Sequence, residues 1–460
     1  MAAGLLSQCS LLPGVTEFKN LSAKDARKYG FIDYWPFPDD GIQLKLAIKD
    51  NIDVKGTVTT AGCKYFEKNH RPAAKDAACL AIARERHVPI IGKTVLSEFA
   101  IAPSGSNDAY ATPKSPLSRL WSRIPGGSSS GSAVAVSRGV ADVALGTDTA
   151  GSVRVPAACC GVVGLKTTFG LVSIDGVYPL EPHHLDTVGP LAKNITYAVK
   201  GMDLLQRGFE ARYQQVVKAH PDAKGIRIGR LYLEGTHKSV DRAVDAALAA
   251  AGFQVVALNP AFVAQWNQAK KDGNTIAAAA SWMTNGQHLN RSDVSTRSKG
   301  IILLGYVNYP KNYEAALKRK AVWQRALGEV FGQVDLIALP TLQNIPPAIP
   351  FLGKTVGLEA RILDLQNTVP VNFAGNPALA LPIPIEDREV ALTSLQLIGP
   401  HYSEADLLNA GRLIEAGSNP IVSVEDIKPG ETKPGGFQLS DVLNTPMRVV
   451  RAARKVILLD

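Results

Sequence analysis

From Ala133 to Leu145 the chain carries almost nothing but small apolar residues. Such a segment can be buried on every side, as a core helix followed by a core strand must be. Polar, glycine-rich corners close it at both ends: Gly126-Gly127-Ser128-Ser129-Ser130-Gly131-Ser132 before it, and Gly146-Thr147-Asp148-Thr149-Ala150-Gly151-Ser152 after it. Glycine in such corners serves backbone with φ > 0 or a close approach to a ligand, so we read this stretch as an active site.

The same patterning predicts the remaining elements. A short helix lies around Ala23–Tyr29, followed by irregular chain over Tyr34-Trp35-Pro36-Phe37-Pro38. Leu44–Ile52 reads as a strand that delivers Lys49 where the apolar run turns polar. Asp76–Arg86 reads as an amphipathic helix with Ala77, Leu80, Ala81 and Ile82 apolar, and Val88–Thr94 as a strand and turn. Residues 103–125 are proline-rich loop. Cys160–Lys166 is a short strand between glycines, and His183-His184-Leu185-Asp186-Thr187-Val188-Gly189-Pro190 a polar corner. A helix-then-strand unit spans Asp241–Val256, with Val244, Ala247 and Leu248 on one face. Residues 259–334 are mostly helical. Strands follow at Val334–Pro340, Ala378–Pro382 and Ser394–Pro400, and a closing helix at Ala405–Ala416. This alternation predicts an α/β fold: one large domain with a mixed central β-sheet covered by helices. Residues 418–460 depart from it, being rich in glycine, proline and lysine before a helix candidate that carries Arg448, Arg451, Arg454 and Lys455.

Composition narrows the picture. The 460 residues are 46% hydrophobic, enough for a sizeable core, and no apolar run reaches the roughly 18–20 residues of a membrane span. Met1–Leu12 has no basic residue ahead of its apolar part, so no secretory leader is expected. The five cysteines (Cys9, Cys63, Cys79, Cys159, Cys160) form no Cys-x-x-Cys pair and have no histidine spaced for zinc. They point to reduced thiols in a cytoplasmic enzyme and to no zinc site. The net charge is +9, but the basic residues are spread rather than blocked, so a nucleic-acid partner is not expected. Gly92-Lys93-Thr94 looks like the end of a phosphate loop, but the glycine required five residues earlier is His87.

Two chemistries compete for the glycine-serine corners. Gly127-Ser128-Ser129-Ser130-Gly131 fits the Gly-x-Ser-x-Gly elbow of a Ser-His-Asp hydrolase using Ser129, with His183, His184 or His401 as base. That elbow needs a strand directly before it, whereas Leu120–Pro125 is a poor one. The alternative uses a lysine base. Burial can lower a lysine from about 10.4 to near neutrality. Lys49 and the two corners then supply a base, a hydroxyl relay and a nucleophile, and the run Thr149-Ala150-Gly151-Ser152 aims several N–H groups at one oxygen, as an acyl-transfer oxyanion requires.

These residues resemble the amidase signature family of serine hydrolases. The match rests on Ala47-Ile48-Lys49-Asp50-Asn51, the Gly126–Ser132 corner, the run Gly146–Ala157 and Leu185–Pro190, in the family's order and spacing. It is strong over about residues 40–200 and looser over 240–416. The resemblance implies an amidase signature domain over 1–417, with its catalytic core at about 40–200, and a C-terminal extension over 418–460 on the domain or at a subunit contact. It further implies Ser152 as acyl nucleophile, Ser128 as relay on a cis peptide, Lys49 as general base, an oxyanion hole from the N–H groups of Thr149, Ala150, Gly151 and Ser152, and support from Ser129, Asp148 and Arg154. The implied substrate is a small-molecule amide, with no cofactor and with a homodimer left open. Some members are instead amidase subunits of glutamine-dependent tRNA amidotransferases. Three departures stand out: Ala150 where glycine is common, His183-His184 before the Asp186 corner, and a short lead before Lys49, as in enzymes similar to plant indole-3-acetamide hydrolases. The aromatics of residues 259–334 (Trp266, Trp282, Tyr306, Tyr309, Tyr313) and Met283 are read as core rather than pocket.

Overall fold

The computed structural model describes residues 21–36, 43–117, 122–349 and 356–418. The C-terminal extension after Ser418, with its basic helix candidate, lies outside the described residues, as do Phe37, Pro38 and the first 20 residues.

The apolar runs assemble into an eleven-stranded mixed sheet. In chain order the strands are β1 Phe31–Tyr34, β2 Leu46–Lys49, β3 Ile90–Thr94, β4 Val143–Asp148, β5 Val163–Lys166, β6 Thr187–Ala192, β7 Arg227–Arg230, β8 Gln254–Ala257, β9 Leu336–Pro340, β10 Ala378–Pro384 and β11 Leu392–Ile398. They lie side by side as β1-β3-β2-β4-β6-β5-β10-β11-β9-β7-β8. β3, β2 and β4 are parallel, as are β9, β7 and β8, and the other pairs are antiparallel. Helices cover both faces, so β2, β4, β5 and β6 are buried along their whole length. Such strands read as near-continuous apolar runs rather than as alternation. In β2, Leu46 and Ile48 join one core layer and Ala47 the opposite one.

The small apolar segment between the two corners becomes the helix Ser130–Ser137 followed by β4. The helix is buried all round from Ser130 to Val136, and its small residues permit very close packing. A Cβ on Gly131 would lie 2.2 Å from the carbonyl oxygen of Gly30. The two long helices of the second half are Pro260–Asn285 and Thr296–Phe331, and Glu404–Gly417 closes the described chain.

Several expectations are corrected. Tyr34 belongs to β1, paired with β3, rather than to irregular chain. The helix expected over Asp76–Arg86 is a 3-10 turn, Ala78–Leu80, and a short α-helix, Ala81–Glu85. Its beginning is drawn out because the N–H groups of Ala77 and Ala78 donate to the carbonyls of Asp53 and Asp175. Ala83 rather than Ala81 therefore faces the core. Gly92-Lys93-Thr94 is strand, not turn, and the buried Lys93 ammonium pairs with Asp50 at 2.9 Å. Cys160 ends the helix Arg154–Cys160, and Thr187–Pro190 lie within β6 rather than in a corner. The strand β7 and the helix Val369–Ala374 had no predicted counterpart.

Candidate active site

β2 and β4 run parallel with Ile48 opposite Leu145, so their C-terminal ends bring Lys49 beside Thr147 and Asp148. This is the edge at which α/β sheets place ligands. Lys49 is fully buried, not a solvated strand end. Its Nζ lies 2.7 Å from Ser128 Oγ, 2.7 Å from Thr147 Oγ1 and 3.3 Å from the Thr147 carbonyl oxygen. Burial lowers its pKa to about 7, outweighing the opposing charges of Asp148 and Asp186. A neutral amine has two hydrogens and one lone pair. The two acceptors on Thr147 take the hydrogens, which leaves the lone pair facing the Ser128 hydroxyl. Thr147 Oγ1 is itself held by Asn51 Nδ2 at 3.1 Å.

Ser128 follows a cis Gly127–Ser128 peptide and is fully buried. The two corners meet where the Ser129 N–H donates to the Ser152 carbonyl at 3.3 Å. Ser129 is buried, and its hydroxyl donates to the Thr147 carbonyl at 3.4 Å. Among the described residues no histidine bonds it, and His183 and His401 are exposed. The Ser-His-Asp elbow on Ser129 is not formed. Ser152, half-buried, opens onto a cavity of about 90 Å³ together with Gly127, Thr149, Ala150 and Gly151.

The loop carrying Ser152 is fixed by a buried carboxylate. Asp148 accepts from the N–H of Gly151 at 2.7 Å and of Val153 at 3.1 Å, and pairs with the Arg154 guanidinium at 3.0 Å. Burial alone would raise the Asp148 carboxyl. The Arg154 charge and the bonds from Arg154 and Asn372 overcome that and hold it well below the usual carboxylate range. Arg154 also donates to the Thr368 carbonyl at 3.0 Å and to Gln396 Oε1 at 2.7 Å, and bonds Asn372 Oδ1. Thr368 Oγ1 in turn grips the Ala150 carbonyl at 2.5 Å. Gly151 has φ of 134°, and a Cβ there would lie 2.2 Å from Thr368 Oγ1, so glycine is required.

One member of the expected oxyanion set changes. The Gly151 N–H is already bonded to Asp148, so it is not free for a developing oxyanion. The N–H groups of Thr149, Ala150 and Ser152 take no partner among the described residues. The Thr149 hydroxyl donates to Asp186 at 2.6 Å, and Asp186 also accepts the N–H groups of Leu180 and Glu181.

Part of the cavity wall comes from the first half of the chain, through Ala100, Ile101, Pro103 and Leu180, and part from the second half, including Asn274, Ser281, Ile301 and Gln366. None of the six residues singled out in residues 259–334 lines it. Trp266 and Tyr313 are core, whereas Met283, Tyr306 and Tyr309 are exposed. Sequence reasoning missed Thr147 as the lysine's partner, although it stands inside a quoted motif, and missed Thr368, Asn372 and Gln396, which no local pattern marks.

Residues 43–408 match the family model described as Amidase. The chain is 31% identical to the A-subunit of the glutamyl-tRNA(Gln) amidotransferase of Halobacterium salinarum over 422 residues, covering 82% of this chain and 96% of that one. It is 34% identical to the 2-amino-5-chloromuconic acid deaminase of Comamonas testosteroni over 395 residues, covering 81% of each. The crystal structure of the glutamyl-tRNA(Gln) amidotransferase A-subunit from Thermotoga maritima superposes with a TM-score of 0.70 at 26% identity, covering 87% of this chain and 91% of that one. With a family match over most of its length and the same fold in a solved relative, the chain belongs to the amidase family, enzymes that act on carbon–nitrogen bonds.

Proposed function

We propose that the protein hydrolyses the amide C–N bond of a small, uncharged molecule through an acyl-enzyme on Ser152. The observation that carries this reading is the 2.7 Å contact between Ser128 Oγ and a fully buried lysine whose pKa lies near 7. Neutral Lys49 accepts the Ser128 proton as Ser128 takes the proton of Ser152. The Ser152 oxygen attacks the carbonyl carbon, and the N–H groups of Thr149, Ala150 and Ser152 hold the oxyanion, each donor typically worth about 3–4 kcal/mol. The proton returns through Ser128 to the amide nitrogen, the C–N bond breaks and the amine leaves. Water activated along the same path then attacks the acyl carbon, and the acid departs. Ser129, Asp148 and Arg154 hold the two corners in register.

The cavity supports a neutral substrate. Among the described residues no Asp, Glu, Lys, Arg or His lines it, and a charge buried without a partner is costly. The names of the relatives favour a second reading, in which the chain is the amidase subunit of a glutamine-dependent amidotransferase. Glutamine brings an α-ammonium and an α-carboxylate, and this lining offers neither a counter-ion. A screen of small aliphatic, aryl and indole amides beside glutamine, with ammonia and free amine measured separately, distinguishes the two. Release of ammonia from neutral amides by the chain alone supports the proposal. Turnover of glutamine only, and only with added subunits, overturns it.

A further inference from the structure

The cavity beside Ser152 is mostly apolar, but two buried polar atoms in its wall have no hydrogen-bond partner among the described residues: Asn274 Oδ1 and Gln366 Nε2. Buried polar groups are normally paired, and each exception asks for an explanation. Apart from the nucleophile candidate Ser152, the other polar side chains of the wall are already engaged. Ser281 donates to the Ala278 carbonyl at 2.6 Å and Thr149 to Asp186 at 2.6 Å. Gln366 is only 1% exposed, so its amide faces the cavity rather than bulk solvent.

Gln366 is also held firmly. Its N–H donates to the Ile362 carbonyl at 3.0 Å, it bridges to Leu342, and the next residue, Asn367, bonds the Thr341 and Pro340 carbonyls at 3.0 Å each. Two residues on, Thr368 grips the nucleophile loop at the Ala150 carbonyl. The Gln366 amide is therefore tied to the same frame as Ser152, and the helix Pro260–Asn285 supplies Asn274 from the other wall. Together these two unpaired atoms present one amino donor and one carbonyl acceptor in an uncharged, mostly apolar cavity. That combination complements a group that both accepts and donates a hydrogen bond and carries no charge. A hydrocarbon in its place leaves both atoms unpaired, and a carboxylate brings a charge that nothing in the lining offsets.

Resting on the acyl-enzyme reading above, we propose that Asn274 and Gln366 are specificity residues that select amides whose acyl portion carries a second neutral carboxamide or ureido group. The test compares kcat/KM for succinamide, pentanamide and succinamate in the wild type, Gln366→Met and Asn274→Ala, with fluorophosphonate labelling of Ser152 run in parallel. The wild type should favour succinamide over pentanamide by on the order of 10- to 100-fold and disfavour succinamate. Either substitution should cut the succinamide-to-pentanamide ratio by about tenfold or more. Because the ratio is internal to one preparation, partial misfolding of a variant does not move it, and Asn274→Ala serves if Gln366→Met fails to fold. A wild type without the preference, or variants that keep it, overturns the inference, as does a wild type that labels at Ser152 yet hydrolyses neither amide. If Ser152 itself does not label, the acyl-enzyme reading fails and the inference falls with it.

Discussion

Thr147 offers a sharp test of how the lysine base is oriented. Thr147→Val keeps the shape of the side chain and removes the Oγ1 acceptor that lies 2.7 Å from Lys49 Nζ. The weaker contact to the Thr147 carbonyl at 3.3 Å remains. Asn51 keeps its bond to the Tyr178 carbonyl at 3.1 Å, so its amide does not lose every partner. Two bonds to Oγ1 are lost, and the one that bears on catalysis is the bond from a nitrogen that becomes charged as it takes the Ser128 proton. Such bonds are worth about 1.5–3 kcal/mol, or about 10- to 150-fold in kcat/KM. Removing an acceptor that favours the ammonium also moves the lysine's pKa further down, so the rise of kcat/KM with pH should begin at lower pH. Thr147→Ser retains the oxygen and should recover activity to within about threefold of wild type. The assay is kcat/KM against pH for a neutral amide, with circular dichroism to confirm the fold. Activity of Thr147→Val within about twofold of wild type on the alkaline plateau would refute the orientation argument. So would a Thr147→Ser variant as impaired as Thr147→Val.

Two further outcomes follow from the buried charges. Lys49 must be neutral to accept a proton, and with a pKa lowered to about 7 by burial its neutral fraction grows as pH rises. Wild-type kcat/KM should therefore climb through about pH 7 and level off above it; a decline across that range contradicts the assignment. Arg154→Met leaves Asp148 buried without its cation, a change that costs about 3–5 kcal/mol in comparable pairs and should lower the melting temperature by several degrees. The Asp148 carboxyl is held below its ordinary value, so the wild type's advantage is present above about pH 4, the unfolded value, and shrinks as pH falls through the folded one. Equal melting of the two proteins at neutral pH would contradict this.

The two halves of the chain are unequally legible in the sequence. Lys49, Ser128, Ser152, Asp148 and Arg154 sit in contiguous motifs, and those motifs are contiguous because strand ends and helix starts present them directly. The long helices and the strands of the second half are also readable, since their apolar runs are periodic or unbroken. The cavity wall is not. Asn274, Ile301 and Gln366 meet through the packing of two long helices and the residue that follows the helix Val356–Leu365, and nothing near them in sequence distinguishes them from ordinary helical or loop residues. The Gly151 N–H is expected at the oxyanion because its neighbours converge there. Whether it bonds Asp148 instead depends on a side-chain direction that residue type does not encode. The expected helix over Asp76–Arg86 fails for a similar reason, because carbonyls distant in the chain, such as that of Asp175, claim its first N–H groups.

The mechanism turns on which serine carries the acyl group, and peptide mapping after reaction with a fluorophosphonate reads that directly. Ser152 opens onto the cavity beside three N–H groups that have no partner among the described residues, whereas Ser128 is fully buried against Lys49. The adduct should therefore be found on Ser152. Ser128→Ala should still label there slowly, and Ser152→Ala should not label at all. An adduct on Ser128 or Ser129 with Ser152 unmodified would contradict the assignment of the nucleophile.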